Sequence, residues 1–214
     1  MNWLRLQEAL FTRAPSLLAI HVLLVLVTML LAIAVSVPAG VILTRPKYKK
    51  YTGIILNFLN IFQTVPSLAM VAIAMPILGI GFKPAVIVLV AQGLLPIARN
   101  TIAGLLGVSA SVKEAAMGMG MSQKQILYEV ELPLALPVIL SGIKTSTVYV
   151  VSTATLAAFI GAGGLGTLIE IGLNLLWREY LIVGAGLGAL LAIFFDRILS
   201  YVEYKFTPPG MRSE

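Results

Sequence analysis

Residues 107–133 read GVSASVKEAAMGMGMSQKQILYEVELP. This is the longest interval between apolar runs in the chain, and it decides how the rest is read. Ser111 and Glu114 stand three apart, as do Ser122 and Gln125. Each pair has the spacing of a capping box, in which the Ser hydroxyl accepts from the third helical amide and the later side chain reaches back. The spacing predicts two short helices, about 112–117 and 123–131, with Gly118 and Gly120 between them and Pro133 stopping the second. The first of these helices presents Ala115, Ala116 and Met117. Such a helix–turn–helix is either a surface connection or a knob for a soluble partner.

Outward from this interval the chain is apolar in both directions. Hydrophobic residues make up 59% of the 214 positions and charged residues 11%, and the mean hydropathy is +0.98. Soluble domains carry about 25% charged residues, so a soluble globular fold is excluded. The absence of cysteine removes disulfides, thiolate zinc sites and thiol nucleophiles, and the single His21 leaves no histidine metal site. No metal and no cofactor is expected.

Residues 14–44, 51–82 and 145–169 contain no Asp, Glu, Lys or Arg. A spanning helix needs about 20 apolar residues. The pattern predicts an all-α integral membrane protein forming a single transmembrane domain over 1–214, with five crossings at about 17–43, 53–77, 84–106, 136–159 and 180–202. Basic residues orient it. With the C-terminus inside, eleven basic residues are cytoplasmic: Arg45, Lys47, Lys49, Lys50, Arg99, Lys113, Lys124, Lys144, Arg197, Lys205 and Arg212. Four lie outside: Arg5, Arg13, Lys83 and Arg178. The N-terminus is therefore expected outside and loop 107–133 in the cytoplasm.

Polar residues within the crossings form stripes. Asn57, Asn60, Thr64 and Ser67 step by 3, 4 and 3, and Thr145, Tyr149 and Ser152 by 4 and 3, so each set shares a helical face. A stripe of this kind either lines a wet pathway or ties helices together. Tyr149 is the aromatic candidate for cation–π contact with a cationic solute, or it is ordinary packing. Gly161, Gly163, Gly164 and Gly166 follow the fourth crossing on the outer side, where glycine permits close approach or unusual dihedrals. They are candidates for an outer gate, with a flexible connector as the alternative. Pro66, Pro76 and Pro96 are expected to bend their helices.

The segment Glu114-Ala115-Ala116, three residues, Gly120, nine residues, Val130-Glu131-Leu132-Pro133 resembles the EAA motif of binding-protein-dependent ABC importer permeases, with Val130 in place of the usual Ile. The resemblance implies a type I importer half with five crossings, whose Glu-Ala-Ala helix seats in an ATPase subunit. Glu114, Ala115, Ala116, Met117, Gly120, Val130, Leu132 and Pro133 are carried over on this motif as the coupling residues. Four further segments resemble the osmoprotectant branch, the permeases for glycine betaine, carnitine and choline: 63–69 (QTVPSLA), 95–101 (LPIARNT), 141–147 (SGIKTST) and 159–166 (FIGAGGLG). Methionine-type permeases share the loop and the five-crossing plan, so another small solute is the alternative.

The resemblance implies three protein partners: a cytoplasmic ABC ATPase subunit, a second permease subunit (a copy or a relative) and an extracytoplasmic substrate-binding protein. The setting it implies is a bacterial plasma membrane. No Walker A pattern occurs, so the chain is expected not to be an enzyme and to draw energy from another subunit. Asp and Glu are absent from the middle of every crossing, which disfavours an ion-coupled secondary carrier. No nucleic-acid role is expected.

Overall fold

The computed structural model describes residues 2–207; Arg212 of the charge count and the last residues of the expected 1–214 domain lie outside them. Eight helices follow one another. They are α1 (Trp3–Thr44), α2 (Thr52–Thr64), α3 (Ser67–Leu78), α4 (Phe82–Gly107), α5 (Ala110–Gly118), α6 (Gln123–Ile160), α7 (Gly166–Asn174) and α8 (Arg178–Phe206). Among the described residues, α1, α4, α6 and α8 are each long and apolar enough to cross a membrane. The α2–α3 pair supplies a fifth crossing if counted as one bent span.

That second crossing is not one straight helix. It turns by 96° between α2 and α3. Pro66 forces the break: the residue before a proline is pushed out of the helical region, and Val65 is extended at φ −72°, ψ 129°. Pro133, by contrast, does not stop its helix. A wide π turn over Ile126–Glu131 precedes it, and α6 runs on through it. A second π turn, Glu8–Arg13, stands before Pro15 in α1. A proline ring crowds the carbonyl four residues earlier and lacks an N–H. A widened turn just upstream relieves that crowding, so both helices continue.

The core is the seam between α1, α4 and α6. At its middle, Val25, Met29 and Ala32 of α1 meet Leu89 and Ile97 of α4 and Val150 and Val151 of α6. The backbones come close where side chains are small. A Cβ on Gly142 would lie 2.5 Å from the Asn100 Cβ and 2.9 Å from the Pro96 carbonyl oxygen, so only glycine fits the α4–α6 crossing there. Near the loop end, Leu105 packs with Ala135 and Ile139. At the other end, Leu165 and Leu168 pack with Ala9, Ala14 and Tyr180.

Polar side chains hold the irregular backbone inside this seam. Pro96 has no N–H for the Gln92 carbonyl, four residues back. Gln63 Nε2, from α2, donates to that oxygen instead at 3.2 Å. Ser146 donates to the next carbonyl, Gly93, at 2.8 Å, and Ser36 to Leu94 at 3.1 Å. The proline gap in the hydrogen-bond ladder of α4 is thus tied to three other helices. In hydrocarbon, proline is tolerated in a helix where neighbours re-satisfy the freed groups. The Gln92 side-chain amide and the Thr28 hydroxyl are buried without a partner among the described residues.

This arrangement predicts a non-additive pair. Gln63→Leu should orphan the Gln92 carbonyl and cost about 1–3 kcal/mol. In a Pro96→Ala background, a backbone N–H at position 96 is available to that oxygen, and the cost should fall by more than half. Thermal unfolding of all four variants in detergent measures this; an equal cost in both backgrounds would contradict the role of Gln63.

Candidate coupling and translocation sites

α5 begins earlier than the sequence spacing suggests. Its N-cap is Ser109, whose hydroxyl accepts from the Val112 amide at 3.4 Å. Ser111 therefore sits inside the first turn, and Ser111 with Glu114 forms no capping box. Ser109 wins because Val108 is already extended at φ −65°, ψ 122°, so the chain can enter the helix one residue later. At the other end, Gly118 stays helical and Gly120 takes the left-handed conformation at φ +81°. Met121 N–H donates to the Ala116 carbonyl and Gly120 N–H to that of Met117, the paired bonds of a Schellman ending. The Ser122–Gln125 box is present in both directions, at 3.4 Å and 2.9 Å.

These caps fix which residues α5 presents. Ala115 and Glu114 are exposed, as are Met117 (48%) and Met119 (75%). Tyr128, from the π turn of α6, adds an exposed ring at 66%. Ala116 faces the opposite way and is 2% exposed. Of the motif's later positions, Val130 and Leu132 are half-buried and Pro133 is exposed. The knob therefore offers a small apolar surface while Ala116 anchors it to its own chain.

Beneath the knob lies a charge cluster that the motif does not contain. Glu131 is 4% exposed. One carboxylate oxygen accepts from Arg45 Nη2 at 2.6 Å, and the other pairs with Lys113 Nζ at 3.0 Å. Burial pushes the Glu131 carboxyl up, but the hydrogen bonds and positive charges of Arg45 and Lys113 outweigh it and hold the group below its usual range. In the sequence Arg45 and Lys113 read only as topology charges. The available signal was a lone carboxylate, Glu131, between apolar Val130 and Leu132.

The pathway candidates divide. Asn57, Thr64, Thr145 and Ser152 are exposed on the single chain, and Asn60, Ser67 and Tyr149 are half-buried. Three of the hydroxyls bond within their own helices: Thr64 to Ile61, Thr145 to Ser141 and Ser152 to Val148. The two stripes meet at one point, where the Ser67 hydroxyl lies 3.4 Å from the Tyr149 hydroxyl. Ser67 begins α3, so this contact sits at the break of the second crossing. Ser67 lies across the 96° bend from Asn57, Asn60 and Thr64, so the four do not form one helical face, because Pro66 breaks the helix between them.

The glycine-rich segment is at the end remote from the knob. Gly81, just before α4, donates its N–H to the Ile160 carbonyl. The 26 residues of α4 then cover about 39 Å before the knob begins. Gly161, Gly163 and Gly164 have φ of +70°, +79° and +85°. Gly166 is helical, but a Cβ there would fall 1.7 Å from the Thr155 carbonyl oxygen. His21 fastens the segment to α1. Its Nδ1 accepts the Leu165 N–H at 3.3 Å, leaving Nε2 to donate to the Val151 carbonyl at 3.1 Å. The ring is fully buried and serves as a backbone partner.

Gly164→Val should strain this fastening twice. The φ of +85° disfavours a branched side chain, and the new Cβ would stand 3.0 Å from His21 Nδ1. The expected cost is roughly 1–3 kcal/mol, with faster hydrogen exchange at the Leu165 amide. Gly161→Asn is the control, because Asn tolerates the left-handed region and nothing lies within 4 Å of a Cβ there. Equal protection of the Leu165 amide in both variants would contradict the assignment.

Comparison with known proteins accords with this geometry. Residues 36–208 match the family described as binding-protein-dependent transport system inner membrane component. The choline transport system permease protein OpuBB of Bacillus subtilis (strain 168) is 48% identical, over 90% of this chain and 88% of its own length. The glycine betaine/carnitine/choline transport system permease protein OpuCB of the same organism is 47% identical over the same shares, 90% and 88%. The osmoprotectant import permease protein OsmY of Salmonella typhimurium is 44% identical, over 88% of this chain and 80% of that protein. Among solved structures, the MetNI methionine ABC transporter in an inward facing conformation matches with a TM-score of 0.77 at 23% identity, covering 88% of this chain and 94% of that one. At that identity the likeness speaks to the fold. The family match over most of the chain, together with these relatives, shows that the chain belongs to the inner membrane components of binding-protein-dependent transport systems.

Proposed function

We propose that this chain is the membrane-spanning subunit of an ATP-driven importer for compatible solutes, the class that includes glycine betaine, carnitine and choline. The observation that carries the reading is the doubly capped α5, which holds Ala115 and Met117 out from the end of the bundle within the Glu-Ala-Ala spacing. An apolar surface on a water-facing knob suits a groove in a soluble ATPase. The excess of basic residues around this loop supports a cytoplasmic position for it and an external position for the glycine-rich segment. The solute class rests on the high identity to permeases named for quaternary amines.

The pathway runs between two permease subunits. α2 has no buried residue on the single chain; Asn57 within it, and Thr145 and Ser152 of α6, are exposed. Polar groups facing lipid are costly, and a second subunit would cover them. A lining of hydroxyls and amides without a fixed charge lets a zwitterion or a bulky cation pass without trapping it. Tyr149, whose hydroxyl lies near Ser67 at the break, would offer its ring to an ammonium group. An external binding protein would deliver the solute to the glycine-rich end and set most of the selectivity.

One experiment tests the reading. The chain is assembled with its ATPase and binding protein in vesicles, and uptake of radiolabelled choline is measured against competing glycine betaine, carnitine and methionine. The quaternary amines should compete and methionine should not; competition by methionine alone would move the chain to another solute. In the same assay Ala115→Asp, which places a charge in an apolar contact, should abolish uptake and ATPase recovery without unfolding the bundle, since Ala115 is exposed on the single chain. Normal uptake by that variant would exclude α5 as the contact.

A further inference from the structure

The Glu131 cluster joins four elements at one carboxylate. Arg45 caps the end of α1, and beyond Glu131 its guanidinium donates to the Val41 carbonyl at 3.3 Å and to the Thr44 hydroxyl at 3.1 Å. Lys113 belongs to α5 and also donates to the Leu105 carbonyl of α4 at 3.3 Å. Glu131 itself ends the π turn at the base of α6. The ends of the first, third and fourth crossings and the knob are therefore tied through one buried side chain, with each oxygen taken by a different cation.

We infer that Glu131 is a positioning residue, through which displacement of α5 is passed to α1 and α6. The inference rests on the reading of α5 as the ATPase contact. A purely apolar anchor would let the knob slide, because apolar contacts are non-directional. A carboxylate with both oxygens engaged resists sliding, since moving either cation away leaves a charge that is both buried and underpaired. The direction of transmission follows from placement. Lys113 is the ligand on the knob and lies one residue from Glu114 and two from Ala115, so a push on that face moves Lys113 first. Arg45 is the ligand on the crossing side. An open cleft of about 400 Å³ beside the cluster, lined by Thr44, Lys49 and Gln123 among others, gives the knob room to move. The wide turn over Ile126–Glu131 places the carboxylate at the junction, between the capped start of α6 and its membrane part.

The test compares Glu131→Gln, Lys113→Gln and the double variant in the reconstituted complex, scoring choline moved per ATP hydrolysed by recovered complex. A role in stability alone would lower the amount of complex and leave that ratio unchanged. Each single variant should lower the ratio at least fivefold, and the double variant should be no worse than either single one. A ratio within twofold of the unsubstituted complex in both single variants, or losses that multiply in the double variant, would overturn the inference. If Glu131→Gln is not recovered, Lys113→Gln decides by the same ratio, because its side chain is 26% exposed and its loss leaves the Arg45 pair in place. Ala115→Asp is scored alongside for ATPase recovery. Normal recovery there removes the docking reading and this inference with it. Lost recovery together with an unchanged ratio in the Glu131 and Lys113 variants removes this inference alone.

Discussion

A backbone carbonyl or amide in hydrocarbon has no water to bond, so every irregularity in a membrane helix needs a partner from the protein. This constraint organises the seam between α1, α4 and α6. Pro96 frees the Gln92 carbonyl, and Gln63 takes it. α6 tightens to a 3₁₀ turn at Ala154–Ile160, and His21 donates to Val151 just before it. The chain leaves that turn through left-handed glycines, and the other nitrogen of His21 accepts the Leu165 amide. Gln63 and His21 are thus found where the spanning helices are irregular.

The polar residues of the crossings consequently fall into two sets. Ser36, Ser146, Gln63 and His21 point inward and hold backbone from another helix. Thr145 and Ser152 bond only within their own helix and remain exposed. The first set makes a single chain rigid along its seam. The second leaves one flank of the chain polar, in a place where lipid would be a poor neighbour. The knob stands at one end of this seam and the glycine-rich segment about 39 Å away at the other.

The apolar runs were legible because hydropathy acts over whole segments. The Ser122–Gln125 box was legible because its geometry is local. Ser111 failed as a cap since Ser109, two residues earlier, has the same chemistry and a better-placed extended neighbour. Pro133 failed as a stop since a π turn, which has no sequence spacing of its own, came before it. The 96° bend was foreshadowed by Pro66, but its size has no local signature in the sequence. The Glu131 cluster joins residues 45, 113 and 131, and nothing in their spacing brings them together.

The division into inward and outward polar sets is open to direct measurement, because the chain contains no cysteine. Single cysteines at Thr145, Ser152, Ser146 and the exposed apolar position Ile193 can be treated with a charged, water-soluble maleimide in the assembled complex in its membrane. The account predicts labelling at Thr145 and Ser152, which are exposed on the single chain, and none at Ser146, buried in the seam, or at the apolar Ile193 position. Equal labelling at all four positions, or protection of Thr145 and Ser152 in every nucleotide state, would contradict it.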